Sequence, residues 1–307
     1  MAAACLILVL SGLSAQDPDV LRKLQDARES LTSGRVDRAE REANRALEQD
    51  PNSADVRLFI CDLRQVQGRH EDAVDACRTA ATLAPKRADI INHLADLLTQ
   101  RESDFPEAIT WYYRALALDP NDPDPLVSVG SLMERTGRLV EAEASYREAL
   151  KINPNTVRAI AGLGAVLFKT DRFDEARFFL LRAAELRPRD LRSHIFLGLA
   201  LNHAGQLDLA LQELRTAAII DPHAANMVAG VREQREHFER LRGIYLNQLE
   251  ASPKDATIWH NIAILSYYLR DYASAWKHLV RAQQLDYPVD LGFKEVVYAR
   301  WRRGEDR

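Results

Sequence analysis

Long apolar runs are missing from this chain: after its first fifteen residues, no stretch reaches the roughly 18 apolar residues that a bilayer-spanning helix needs. That excludes a later transmembrane helix. An excess of basic charge is missing too, because Lys and Arg number 41 against 45 Asp and Glu, a formal charge of −4. Nucleic acid, which asks for a basic patch or stripe, is therefore not an expected partner. The eight histidines fall singly, with no His-x-x-x-His pair and no Cys–His spacing of a zinc site, so no metal is expected. The two glycines of "GLGAVLFKT" from Gly162 lack both a Gly-Lys-Ser/Thr ending and a preceding strand, so they make no phosphate loop. Neither "GLS" in the leader nor "SVGS" from Ser128 follows a strand, as a nucleophile elbow must. No catalytic residue, metal or cofactor is expected.

Cysteine is scarce, with three in 307 residues. Cys5 lies in "MAAACLILVLSGLSA", an uncharged apolar stretch followed by the polar "QDPD". Residues 1–15 have the shape of a short signal peptide with cleavage after Ala15, which would place the mature chain in a periplasmic or secreted location; the alternative is cytoplasmic. Cys61 and Cys77 fall on neighbouring helices, where an oxidising compartment would permit a bridge. Two small apolar core residues is the preferred reading, because free cysteine is commonly buried and disulfide geometry is narrow.

What the chain has in abundance is a repeated stop. Prolines stand at 51, 85, 120, 154, 188, 222, 253 and 288, with a dominant spacing of 34. Between them two helical patterns alternate. The first carries a bulky residue, another three later, then a small one and a further apolar residue, as in Ile160, Leu163, Gly164 and Leu167. The second carries an Ala, a larger residue four on and an Ala three beyond, as in Ala176, Leu180 and Ala183. Spacings of three and four put each set on one helix face. Small residues let paired helices approach and large ones fill the gap. Gly34, Gly68, Gly137 and Gly205, with Asp171 in the fifth unit, mark the turn inside each pair, where a left-handed backbone costs least. Proline, lacking an N–H, ends the second helix of a unit, and polar residues such as those of "PND" cap the next.

A helix, a turn and a helix at a 34-residue period resembles the tetratricopeptide repeat (TPR). Seven units match, beginning near Val20, Ala54, Ala88, Pro123, Val157, Leu191 and Ala256. The expected fold is an all-α, right-handed TPR solenoid of antiparallel helix hairpins with a C-terminal capping helix. Residues 20–224 give six units and 254–288 a further one. Between them, 225–253 is a degenerate unit or joint: it is short by three, lacks the turn glycine, and has Arg232 where Gly130 and Gly164 stand in their units. "VREQREHFERLR" should form a longer, more exposed helix. Residues 289–303 place Phe293, Val296, Val297 and Trp301 on one face, as a terminal cap would.

The resemblance implies a function as well. First helices of such repeats line an inner surface where partner segments lie. By position that surface holds Asp55, Asp62, Asp89, Asn92, His93 and Asp96 in the second and third units, and Ala161, Ala165, Phe168, Ile195, Phe196 and Leu199 in the fifth and sixth. In the last unit it holds His260, Asn261, Ile264, Tyr267 and Tyr268. An acidic end and an apolar, aromatic end suit a partner peptide or helix with complementary ends; the competing use of Phe168, Ile195 and Phe196 is packing between units. The acidic places rule against a carboxylate clamp. The expectation is a non-enzymatic protein-interaction scaffold in a bacterial envelope. Two alternatives stand beside it: a substrate-positioning module of a separately encoded enzyme, and a cell-wall glycan binder using Tyr267, Tyr268 and Trp259.

Overall fold

The computed structural model describes residues 17–304. The expected signal peptide, Cys5 included, lies outside them. Among the described residues there are sixteen α-helices and two short 3-10 turns, and no strand. They divide into two compact units at residues 153 and 154.

The first unit holds α1 (Pro18–Thr32), α2 (Val36–Gln49), α3 (Ala54–Val66), α4 (His70–Leu83), α5 (Ala88–Leu98), α6 (Phe105–Leu118), α7 (Asp124–Arg135) and α8 (Leu139–Ile152). Successive pairs form four antiparallel hairpins, and within this unit each second helix also touches the first helix of the next pair. The second unit holds the hairpins α9 (Val157–Lys169) with α10 (Phe173–Leu186) and α11 (Leu191–His203) with α12 (Leu207–Ile220). The long α13 (Ala225–Ala251) follows, then the hairpin α14 (Ala256–Tyr268) with α15 (Tyr272–Gln284), and finally α16 (Leu291–Arg302).

The turns form as their residues require. Gly34, Gly68, Gly137 and Gly205 take φ of 73°, 73°, 76° and 69°, and Asp171 takes the same place at 59°. Arg270 at φ 60° serves the last hairpin, a position where only the missing side-chain β-carbon of glycine would have been free of strain. Between hairpins the aspartate before proline does more than precede it. Its carboxylate accepts the N–H two residues on, from Asn52 to Asp50, Asn121 to Asp119 and His223 to Asp221, an Asx turn that closes the bend while the proline ends the helix. The third hairpin absorbs its extra residue in a 3-10 turn, Glu102–Asp104.

Inside each hairpin the small positions set how near the helices come. A side-chain carbon added at Gly130 would stand 2.8 Å from the Tyr146 ring, and at Gly164 or Gly198 it would stand 2.6 Å from Cγ of Leu180 or Leu214. The small residue and its bulky partner are thus in direct contact across the pair, flanked by alanines with no exposed surface. Ridge-into-groove contact of this kind fixes the register of the two helices.

The departures also have a physical basis. α13 runs 27 residues and buries only Val228 and Val231, because Arg232 and its charged neighbours cannot enter a hairpin contact. It packs on α12 and α14, with Arg235 donating to Asp208 and Arg242 Nη1 to Asp271 Oδ2 at 3.1 Å. Trp259 is half-buried, its indole N–H donating to the Pro253 carbonyl at 3.0 Å. α16 closes the end of its unit: Val297 is fully buried against Ala263, Ala275 and Leu279, with Phe293 packed beside it.

Candidate partner-binding surface

The positions that the repeat pattern assigns to the inner surface do not form one uniform face. In the first unit the acidic residues are largely engaged with cations of the same chain. Arg87 donates to Asp89 from Nε at 2.8 Å and to Asp55 at 3.1 Å. The hydrogen bond from Arg87 holds the Asp89 carboxyl below the usual carboxylate range, against the opposing effect of burial. Asp62 Oδ1 lies 2.9 Å from His93 Nε2, and that carboxylate, helped by Asp96, raises the imidazole pKa in spite of burial. The contact lacks the alignment of a hydrogen bond, since His93 Nε2 has no partner of correct geometry, and it is an ion pair only when the ring is protonated. Asp96 stays exposed while accepting the Tyr112 hydroxyl at 2.5 Å. Asn92 Oδ1 is buried and lacks a hydrogen-bond partner.

In the second unit Phe168, Ile195, Phe196 and Leu199 are all half-buried. Phe168 meets Phe196 edge-on at 5.7 Å and Phe173 at 5.4 Å; Phe173 in turn stacks on His203 at 3.5 Å, and the Arg192 guanidinium sits 5.9 Å from the Phe196 ring centre. Neighbouring first helices therefore share one aromatic patch, part of it spent on packing and part left open. Asn202 Oδ1, on the same helix as Phe196, has no hydrogen-bond partner. Ala161 and Ala165, assigned to this surface by position, are buried at 2% and 0% exposure. Their side chains are too short to pass the packed neighbours, so they contribute nothing to an accessible face.

The last hairpin differs from its assignment. His260 stacks on Tyr287 at 4.3 Å, and Tyr267 meets Phe293 at 5.4 Å, so the segment leading into α16 covers the first and α16 itself the second. Burial lowers the His260 pKa. Asn261 remains half-buried on α14. Tyr268 is wedged against Gly205, where an added carbon would stand 2.3 Å from its ring, and lies 5.6 Å from Phe238. Tyr267 and Tyr268 meet edge-on at 5.7 Å, whereas Trp259 lines a cleft of about 330 Å³ with Trp276, Lys277 and Val280, to which neither tyrosine contributes.

Two features escaped the sequence. Cys61 and Cys77 are joined by a disulfide, correcting their reading as unpaired core residues. The signal for it was available: their separation of 16 equals that of Gly130 and Tyr146, Gly164 and Leu180, and Gly198 and Leu214, the pairs that touch across each hairpin. His93 stands beside the bridge, its ligand nitrogen and both sulfurs lying within 4.8 Å of one another, a juxtaposition that no linear spacing encodes. The second feature is apolar exposure on second helices, with Phe178 at 64% and Ile219 at 85%.

Stacked hairpins with these turn, small-residue and proline positions define a TPR protein. The chain belongs to the tetratricopeptide-repeat family: the model of the Cilia and flagella-associated protein 70 middle TPR-like domain matches residues 91–265, more than half of it, and a Tetratricopeptide repeat model matches residues 24–88. No curated protein matches the sequence. Among solved structures, a TPR protein from Parabacteroides merdae shares 15% identity at a TM-score of 0.55, covering 93% of this chain and 98% of that one. PilW, titled a widely conserved type IV pilus biogenesis factor, shares 18% at a TM-score of 0.57, covering 67% of this chain and 95% of its own. The APC/C hetero-tetramer Cut9-Hcn1 shares 20% at 0.55, covering 69% of this chain, which spans only 43% of that one. These likenesses establish the solenoid fold, one suited to protein–protein interaction in a family that is generally non-catalytic. No helix among the described residues is long and apolar enough to cross a membrane.

Proposed function

We propose that the chain is a non-enzymatic scaffold that captures a peptide or helix of a partner protein on its first-helix surface, in a bacterial envelope or secreted setting. The observation that carries this is the half-open patch of Phe168, Ile195, Phe196 and Leu199 in the second unit. Packed rings hold the patch in shape before any partner arrives, so little ordering entropy is lost on binding. The setting is supported by the leader-like residues 1–15 and by the disulfide, which persists in oxidising compartments.

The test is site-specific photo-crosslinking in the native host, with the reactive residue placed at Leu199 or, as the competing face, at Phe178. The reading expects a discrete protein adduct from Leu199, lost in Phe196→Asp without loss of helicity. Adducts from Phe178 alone would move the interface to the second helices and overturn it.

A further inference from the structure

We infer that the reduced form of this protein binds a divalent transition metal of the zinc type through Cys61, Cys77 and His93, and that the disulfide is the closed state of that site. Cys61 occupies the small position of its hairpin and Cys77 the bulky one, the pair that in other hairpins is Gly164 with Leu180 or Gly198 with Leu214. Two sulfurs thereby replace a packing contact between α3 and α4, and both cysteines are fully buried. His93, from the following hairpin, adds a nitrogen to the same spot, with all three ligand atoms within 4.8 Å of one another. A tetrahedral zinc site with Zn–S near 2.3 Å and Zn–N near 2.0 Å has ligand–ligand edges of roughly 3.5–3.8 Å, so only a small closing motion is required once the sulfurs separate. Three ligands leave a fourth position for solvent.

The chemistry balances with a dithiol as reductant. It gives two electrons to the Cys61–Cys77 bond and becomes a cyclic disulfide, and its two protons pass to the cysteine sulfurs. Metal binding then displaces both protons and leaves thiolates, the ligand form. The metal site itself does not depend on the partner-binding proposal.

The experiment uses the full chain carrying Cys5→Ala, reduced with a dithiol and titrated with Co²⁺ without oxygen. Binding of one Co²⁺ per chain with a thiolate-to-cobalt charge-transfer band, displaced by Zn²⁺ and absent from the oxidised protein, is expected. His93→Ala should weaken Co²⁺ on the order of 10–100-fold while leaving far-ultraviolet circular dichroism unchanged. Absence of the band in a reduced chain that keeps its helicity overturns the inference. So does unchanged affinity in His93→Ala, or a loss of helicity on reduction that metal does not reverse; recovery of helicity on adding metal supports it.

Discussion

Replacing Gly164 by alanine tests whether the contact between small and bulky residues sets the hairpin register. The new carbon would stand 2.6 Å from Leu180 Cγ and 2.8 Å from Cδ2, with the Ala176 carbonyl at 3.4 Å. Leu180 has no exposed surface and is flanked by the equally buried Ala176 and Ala183, so its branch point has nowhere to retreat. Alanine gains about 1 kcal/mol over glycine in a helix interior, whereas forcing an extra carbon into a packed core costs about 1–3 kcal/mol. The expected net is a destabilisation of roughly 0–2 kcal/mol. Gly230 supplies the control, because it lies inside the exposed α13 with nothing within 4 Å of an added carbon; there only the gain of about 1 kcal/mol remains. Leu180→Ala alone should cost about 2–5 kcal/mol. The double variant should cost less than the sum by on the order of 1 kcal/mol, since removing Leu180 removes the clash. Urea unfolding followed by far-ultraviolet circular dichroism measures all four. If Gly164→Ala raises the midpoint as far as Gly230→Ala does, or if the two changes at 164 and 180 simply add, the register argument is wrong.

Other outcomes follow from single contacts. Replacing both Cys61 and Cys77 with alanine should lower stability under oxidising conditions by about 3 kcal/mol, the scale for a closed loop of this size, as read by denaturant unfolding. Asp271 caps α15 by accepting the Ser274 N–H at 3.0 Å and also receives Arg242 from α13; Asp271→Ala should cost roughly 1–2 kcal/mol in the same assay. His278 is held below its ordinary pKa of 6.5 by burial and by the nearby cations Lys277 and Arg242, against its bond to the Ser274 carbonyl and the charge of Asp271. The unfolded chain therefore takes up this proton first, so the contribution of His278 is retained above pH 6.5 and lost as pH falls below it. Unfolding across that range should be less pH-dependent in His278→Gln than in the parent, and an identical profile would refute the burial argument. Phe196→Asp should abolish the Leu199 adduct while the thermal transition keeps its amplitude.

The sequence by itself determined the elements and their pairing. Proline every 34 residues, glycine at the turns and alternating small and bulky positions are local constraints on backbone and side-chain size, and each acts within one hairpin. The long α13 was legible for the same reason, from Arg232 in a place where no charged side chain can pack. Tertiary structure alone decided which inner positions stay accessible. Whether Ala165 is sealed, Phe196 half-open or Tyr267 covered by Phe293 depends on neighbours brought close by stacking and by the return of the C-terminal segment. The meeting of Cys61, Cys77 and His93 is of the same kind. The two cysteines share a hairpin whose register the repeat already announces, but the histidine arrives from the next one. Its approach is set by how hairpins pack on each other, which side-chain spacing along one helix does not specify.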